Sequence, residues 1–382
     1  MMDRRNFLRG AALGAGTLVI APRMVFANVE TARRFVFIIQ RGAADGLDTV
    51  IPYGDPALAG LRGPLTIDPG DMNKLDGLFA LHPSLERLAG FYRDKQSLFV
   101  QAVASPYRER SHFDGQNMLE SGGLRPYERP DGWLNRLSSL LPKSQEEAIA
   151  FSPTIPLALR GAAPVTSYAP SSLPEAPDDL LTRVSALYNA DSELHALWSM
   201  AMENRGLADA ASAKQDPASV GTTAAEFLSR PNGPRIAMIE TAGWDTHATQ
   251  KQRLANQLHG LDQMIGALRD GLGDVWKDTT VLVATEFGRT AAANGTGGTD
   301  HGTASAAMLV GGAVQGGQVI ADWPGLATGN LYEGRDLAPT LDLDALIAMV
   351  AAESLELDRE KTMRALFPGR PFNHKITGLV GA

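Results

Sequence analysis

The sequence predicts an α/β fold, a sandwich of helices around a mostly parallel central sheet. Two observations carry this. Short, continuous apolar runs recur along the chain and each opens into a glycine-rich or polar loop, as strands buried on both faces do. Between them lie stretches with apolar residues at helical spacing, so strand and helix alternate.

The first run, 34–40, ends in Gly42-Ala43-Ala44-Asp45-Gly46 and reads as a buried parallel strand entering a tight loop. Leu85, Leu88, Ala89 and Tyr92 give 83–95 helical spacing, and 97–103 follows as a second strand. A helix is expected from about 112 to 120, stopped by Ser121-Gly122-Gly123. Pro153, Pro156, Pro164, Pro170 and Pro174 mark loops. From about 171 to 230 the chain is rich in Ala, Ser and charge, which predicts a helical insertion rather than a separate domain. Alternation then resumes with a strand at 234–240, a helix at 249–272, and strands at 279–285 and 305–310.

Ahead of all this, Asp3-Arg4-Arg5-Asn6-Phe7-Leu8-Arg9 precedes an uncharged Gly/Ala-rich run to Pro22 and a small-residue pattern at Val25-Phe26-Ala27. That is the form of a twin-arginine export signal covering 1–27, cleaved near Ala27. The twin-arginine translocase is the expected export partner, and the periplasm or another exported location the expected destination. The run is too short for a bilayer, which needs ~20 apolar residues, so no stable membrane span is expected in the mature form. Residues 28–382 are expected to form a single domain.

Hydrophobic residues make up 44% of the chain, enough for a core of ordinary size. The net charge is −8; residues 1–27 hold four arginines and one aspartate, which leaves −11 for the rest. An acidic chain does not neutralise phosphate backbones, so nucleic acid is not an expected partner. With no cysteine, disulfides, thiolate metal sites and thiol nucleophiles are excluded.

Ligands of open α/β sheets bind beyond the carboxyl ends of the strands. Asp45 follows the first strand; Ser111-His112-Phe113-Asp114 follows the second across a loop. Gly243-Trp244-Asp245-Thr246-His247 follows the strand at 234–240, and Glu286-Phe287-Gly288-Arg289-Thr290 and then Thr299-Asp300-His301-Gly302 follow the one at 279–285. Four strand ends supply carboxylates and three of those regions supply histidines, the pattern of an oxygen-and-imidazole metal site. Each residue alone has a plainer reading. Asp45 is also a turn former, Ser111 a helix cap, Asp245 and His247 a loop pair, Glu286 and Arg289 a structural ion pair, and Asp300-His301 a surface turn. His82, His195, His259 and His374 lie outside the pattern.

At these residues the chain resembles a known exported family, domain of unknown function 1501. The resemblance rests on the signal, Arg41-Gly42-Ala43-Ala44-Asp45-Gly46, Arg110-Ser111-His112-Phe113-Asp114, Gly243-Trp244-Asp245-Thr246-His247, Glu286-Phe287-Gly288-Arg289-Thr290 and Gly298-Thr299-Asp300-His301-Gly302. That family resembles a distant branch of the alkaline phosphatase and sulfatase superfamily, which implies an alkaline-phosphatase-like three-layer sandwich around a metal-dependent site. By that resemblance Asp45 corresponds to a first-strand aspartate on a metal. Asp245 and His247 correspond to an aspartate–histidine pair, and His301, assisted by Asp300, to a late histidine returning to the first metal. Glu286 stands for an aspartate and Phe287 for a histidine, which removes one imidazole. Ser121-Gly122 resembles a pair that follows the nucleophile by about three helical turns. Counting back reaches Ser111, which could attack, or His112, which could be a ligand. Ala104-Ser105-Pro106-Tyr107-Arg108 resembles the sulfatase box, but Ala104 stands at the modified position, so formylglycine chemistry is excluded.

The expectation is therefore a divalent-metal-dependent hydrolase or transferase of phosphate or related esters, with Zn, Mn, Mg and Ca all open. Its substrate would be a small molecule or an envelope-glycan ester, with Ser111 and Arg289 (or Arg110) acting on it. The metal set would be Asp45, His112, Asp245, His247, Glu286, Asp300 and His301. The alternative is a degenerate cell-envelope binding or assembly protein of the same fold.

Overall fold

A computed structural model describes residues 31–145, 147–169, 216–371 and 376–381, with isolated positions between 184 and 198. The expected signal at 1–27 and most of the expected insertion at 171–230 lie outside the described residues.

In chain order the first elements are β1 (Arg34–Gln40), a one-turn helix α1 (Gly46–Thr49), β2 (Val50–Ile51), α2 (Leu58–Arg62), β3 (Asn73–Lys74) and β4 (Ala80–Leu81). Next come α3 (Glu86–Arg93), β5 (Ser97–Ala104), α4 (His112–Ser121), α5 (Trp133–Ser138), β6 (Ala148–Phe151) and β7 (Val165–Tyr168). The last are α6 (Pro217–Leu228), β8 (Ile236–Thr241), α7 (Gln250–Leu272), β9 (Thr279–Ala284), β10 (Ser305–Val310), β11 (Val319–Ile320), β12 (Leu341–Asp342), α8 (Leu343–Ser354) and α9 (Arg359–Leu366).

Among the described residues the main sheet has nine strands, ordered β11-β5-β10-β9-β1-β8-β6-β7 with β12 also on β5. The pairs β9-β1, β1-β8, β8-β6 and β6-β7 are parallel, as are those of β5 with β11 and β12. Only β10 runs antiparallel to its neighbours β5 and β9. β1 is central and fully buried, and its side chains divide by alternation. Phe35, Phe37 and Ile39 pack on one face with Trp133 of α5, Leu346 and Ile347 of α8 and Met363 of α9. Val36 and Ile38 pack on the other with Leu88 of α3, Ala224 of α6 and Leu254 and Leu258 of α7. Helices therefore cover both faces, giving three layers.

The proline-marked stretch holds one strand, β7, where loops were expected, and β6 lies just before it. β6 and β7 extend the parallel edge beyond β8. Each has only four residues, too few for a clear periodicity. Part of the expected insertion is α6, a helix that packs on α7 and belongs to the sandwich itself.

The antiparallel strand matters for function. Because β10 runs against β9, its first residues start at the rim where β1, β8 and β9 end. The 286–303 excursion folds back on itself through Gly288 N–H to Thr303 O (2.9 Å), Gly302 N–H to Gly288 O (2.8 Å) and Thr290 N–H to Asp300 O (2.9 Å). His301 is thereby returned to a bridge opposite Arg289. A side chain at Gly288 would put its Cβ 1.8 Å from Ala304 O, so the turn needs glycine.

Candidate metal centre

His112, Asp245 and His301 meet at this rim, each offering one ligand atom, and those atoms lie within 4.8 Å of one another. His112 opens α4, Asp245 follows β8 and His301 precedes β10. His247 stands beside them, its Nε2 3.0 Å from Asp245 Oδ1 and 3.0 Å from His301 Nε2.

The three imidazoles are held the same way round. His112 Nδ1 is 2.9 Å from Glu286 Oε1, His247 Nδ1 is 3.1 Å from Asp300 Oδ1, and His301 Nδ1 is 3.0 Å from the Arg110 carbonyl. A carboxylate or carbonyl oxygen only accepts, so each Nδ1 carries the proton and donates. Each ring then turns its Nε2 toward the same space. His112 Nε2 is buried with no hydrogen-bond partner, and its nearest acidic oxygen is Asp245 Oδ2 at 3.5 Å. His247 and His301 face each other nitrogen to nitrogen. Two lone pairs at that distance repel unless a proton or a cation lies against them. Outer acceptors that fix imidazole orientation in this way are characteristic of histidine metal ligands.

Glu286 thus sits behind His112. It is fully buried. Oε1 accepts from Gly42 N–H (2.9 Å), His112 Nδ1–H (2.9 Å) and Gln116 Nε2–H (2.9 Å), and Oε2 from the Thr285 hydroxyl (3.0 Å). Burial works to raise its pKa, but the bonds from His112, Gln116 and the backbone outweigh that and hold it below the ordinary carboxylate value. The same bond is the main cause that raises the His112 pKa, against its own burial. His301 is lowered, by burial first and then by the charges of His112 and Arg289. Gln116 lies one turn after His112 on the same helix face, and its Oε1 accepts from Arg41 Nη1 at 2.9 Å. Arg41 is itself held by Glu120 (2.7 Å) and Glu240. Gly42 has φ +119°, and a Cβ there would lie 2.6 Å from Asp245 N, so this close approach of two loops requires glycine.

Asp300 sits behind His247 and is held by Asn294 Nδ2 at 3.1 Å. Arg289 sits behind Asp245. Its buried guanidinium donates to Asp245 Oδ1 (2.6 Å), to the Thr299 hydroxyl (3.1 Å) and to the Thr299 carbonyl. Burial of Asp245 acts to raise its pKa, and the hydrogen bond and charge of Arg289 reverse this and lower it. The plainer reading of Glu286 and Arg289 as an ion pair does not hold; Asp245 takes the arginine. With its side chain fully buried, Arg289 positions Asp245 and does not reach out to a substrate.

Asp45 does not join the cluster. It caps α1 and is ion-paired with Arg62 at 2.5 and 3.0 Å. Ser111 occupies the N-cap position of α4 with extended backbone, but its side chain makes no capping bond. It stands next to His112, at the helix end where free N–H groups favour an anion. Arg110 pairs with Glu333 (2.5 Å) and with the buried Asp336 (2.8 Å), and has φ +61°.

Sequence reasoning passed over Gln116, Gln250, Thr299 and Arg62, the polar residues that hold the acidic ones. Gln116 had a signal, its four-residue spacing from His112. Arg62 had none, since α2 is a short helix in an excursion between small strands.

The fold and site define a three-layer α/β protein with a histidine–aspartate cluster at the carboxyl rim of its sheet, a group able to hold a metal ion. Residues 101–367 match the family described as "Protein of unknown function (DUF1501)", and the chain belongs to that family. No curated protein matches the chain. Among solved structures it is similar to the zinc complex of the C-terminal periplasmic domain of EptC from Escherichia coli, at 9% identity and TM-score 0.40, covering 75% of this chain and 74% of that one. It is similar to alkaline phosphatase from the Antarctic bacterium TAB5, at 11% identity and TM-score 0.37, covering 76% and 95%. It is also similar to lipoteichoic acid synthase LtaP from Listeria monocytogenes, at 9% identity and TM-score 0.37, covering 68% of this chain and 57% of that one. The chain therefore spans little more than half of LtaP.

Proposed function

We propose that this protein is a metal-dependent hydrolase or transferase of phosphate or related esters, exported through the twin-arginine translocase to the periplasm. The observation that carries the reading is the common orientation of His112, His247 and His301. Each is pinned through Nδ1, and the Nε2 atoms share one space with Asp245. Imidazole with carboxylate suits zinc best, with manganese open; magnesium and calcium prefer oxygen. A bound cation would supply Lewis acidity toward an ester oxygen and acidify a hydroxyl.

This chain's own residues do the rest. His112, His247, His301 and Asp245 hold the cation. The N-terminus of α4 offers N–H groups to a tetrahedral anion beside it. Ser111, unused as a cap, is the hydroxyl nearest that position in sequence and the proposed nucleophile. Phe287 stacks on His112, with ring centroids 5.0 Å apart, and keeps that ring out of water on one side. The substrate we propose is a small-molecule or envelope-glycan ester.

The competing reading is a binding or assembly protein of the same fold, favoured by Phe287 filling space beside the cluster. One experiment separates them. The purified mature chain is analysed for metal and assayed on phosphate mono- and diesters, sulfate esters and phosphonates. Turnover that chelators abolish, and that His301→Ala and Ser111→Ala both lose, supports the enzyme. Metal-loaded protein that turns over none of these leaves the binding reading.

A further inference from the structure

Asp45 is linked to Asp245 indirectly, through Thr299 and Arg289, and with Asp48 it forms a pair of carboxylates that could be taken for a second cation site. The side chains around Asp45 argue otherwise. Oδ1 accepts from Leu47 N–H (3.0 Å), Asp48 N–H (3.1 Å) and Arg62 Nη2 (3.0 Å). Oδ2 accepts from Arg62 Nη1 (2.5 Å) and Gln250 Nε2 (2.7 Å), with the Thr299 hydroxyl at 3.3 Å. A carboxylate has about four lone-pair sites, and these donors fill them. Asp48 is tied to the same arginine at 3.4 Å and to Gln250 Nε2 at 2.8 Å. Asp45 and Arg62 are each 1% exposed, so water does not reach the pair.

We infer that the centre is mononuclear: one cation at His112, His247, His301 and Asp245, with the guanidinium of Arg62 permanently occupying Asp45 and Asp48. This rests on the proposed function and goes further, because it assigns the number of ions and the residue that excludes the second. The physical argument is charge and space. Arginine does not lose its proton in a protein, so a divalent ion at Asp45 would sit against a fixed positive charge in a sealed, poorly screened pocket. To admit it, Arg62 would have to leave and be hydrated elsewhere, and α2 would have to move with it.

The arginine also has a positioning role. Thr299 touches Asp45 through its hydroxyl and receives Arg289 at 3.1 Å, while Arg289 holds Asp245 at 2.6 Å. The Asp45–Arg62 pair is the fixed end of a chain that ends on a proposed ligand. It works by holding shape, without touching a substrate.

The test is native mass spectrometry of the intact mature chain titrated with zinc, with elemental analysis of the same samples. One tightly held zinc per chain is expected, lost on His301→Ala and retained at one equivalent in Asp45→Asn. Two equivalents in the wild-type chain, with the second lost in Asp45→Asn, overturns the inference and leaves the proposed function standing. No bound zinc or manganese overturns the proposed function, and the mononuclear centre falls with it. Should Asp45→Asn fail to fold, the wild-type stoichiometry decides alone.

Discussion

Glu286 Oε1 lies 2.9 Å from His112 Nδ1, and this contact decides which nitrogen of His112 faces the rim. Glu286→Gln keeps the shape and one acceptor oxygen but loses the charge that favours the donating Nδ1–H. Zinc affinity is expected to fall about 10- to 100-fold, the usual effect of losing an outer partner of a ligating histidine. Glu286→Ala also takes the acceptor from Gly42 N–H, His112 and Gln116. It is expected to destabilise the fold by roughly 2–4 kcal/mol. Zinc titration and urea unfolding of the two variants check this. Equal zinc affinity in Glu286→Gln and wild type would remove the positioning role.

Loading of the cation is expected to depend on pH. His112 has its pKa raised by Glu286 above the ordinary 6.5, so a cation must displace a proton there to bind. Affinity should rise with pH through that raised value, with proton release visible in calorimetry across buffers of different ionisation enthalpy. The stability linkage has the opposite sign in the metal-free chain. A histidine raised on folding stabilises below its unfolded pKa, and that contribution is lost as pH rises through the folded value. Metal-free protein should therefore lose this share of its stability as pH rises above 6.5 through the raised value, while zinc-loaded protein should not.

Gly42→Ala should fail at both levels. The residue sits at φ +119°, and its new Cβ would lie 2.6 Å from Asp245 N. Backbone strain of this kind costs about 1–3 kcal/mol before the clash is counted. Because Gly42 N–H also donates to Glu286, zinc affinity should drop along with the thermal midpoint. A variant as stable as wild type would mean the two loops are free to separate.

The strands were readable where burial on both faces makes a continuous apolar run, and 34–40 and 305–310 emerge at their observed bounds. Direction was not readable. Nothing in residues 305–310 announces that β10 runs antiparallel, though this is what starts it at the rim next to His301. β6 and β7 were hidden by their length, and α8 by an apolar run without helical contrast, although Asp342 capping Ala345 N–H marks its start. Candidate residues were legible as types at strand ends. Their roles were not, because whether a carboxylate faces a cation or a guanidinium depends on a partner far away in sequence. Asp45 and Arg62 are buried together, Glu286 and His112 are 174 residues apart, and Asp245 and Arg289 are 44 apart.

Asp344 at the start of α8, outside the histidine cluster, offers a control. Burial, with the nearby charge of Asp342, pushes its carboxyl up to about 7, only partly offset by Arg370 at 3.1 Å. The unfolded carboxyl titrates near 3.8, so between about pH 4 and 7 the folded chain binds more protons than the unfolded one. Stability must therefore fall as pH rises through that window, and the loss is complete above the folded value. At about 1.4 kcal/mol per unit the outer limit is roughly 4 kcal/mol. Asp344→Asn removes the titration and keeps an acceptor for Arg370. Its stability relative to wild type should grow by on the order of 2–4 kcal/mol from pH 4 to pH 8, measured by urea unfolding of the metal-free chains. Zinc affinity should not change, because α8 carries none of the cluster residues. Parallel pH curves for the two proteins would show that Asp344 ionises normally in the fold.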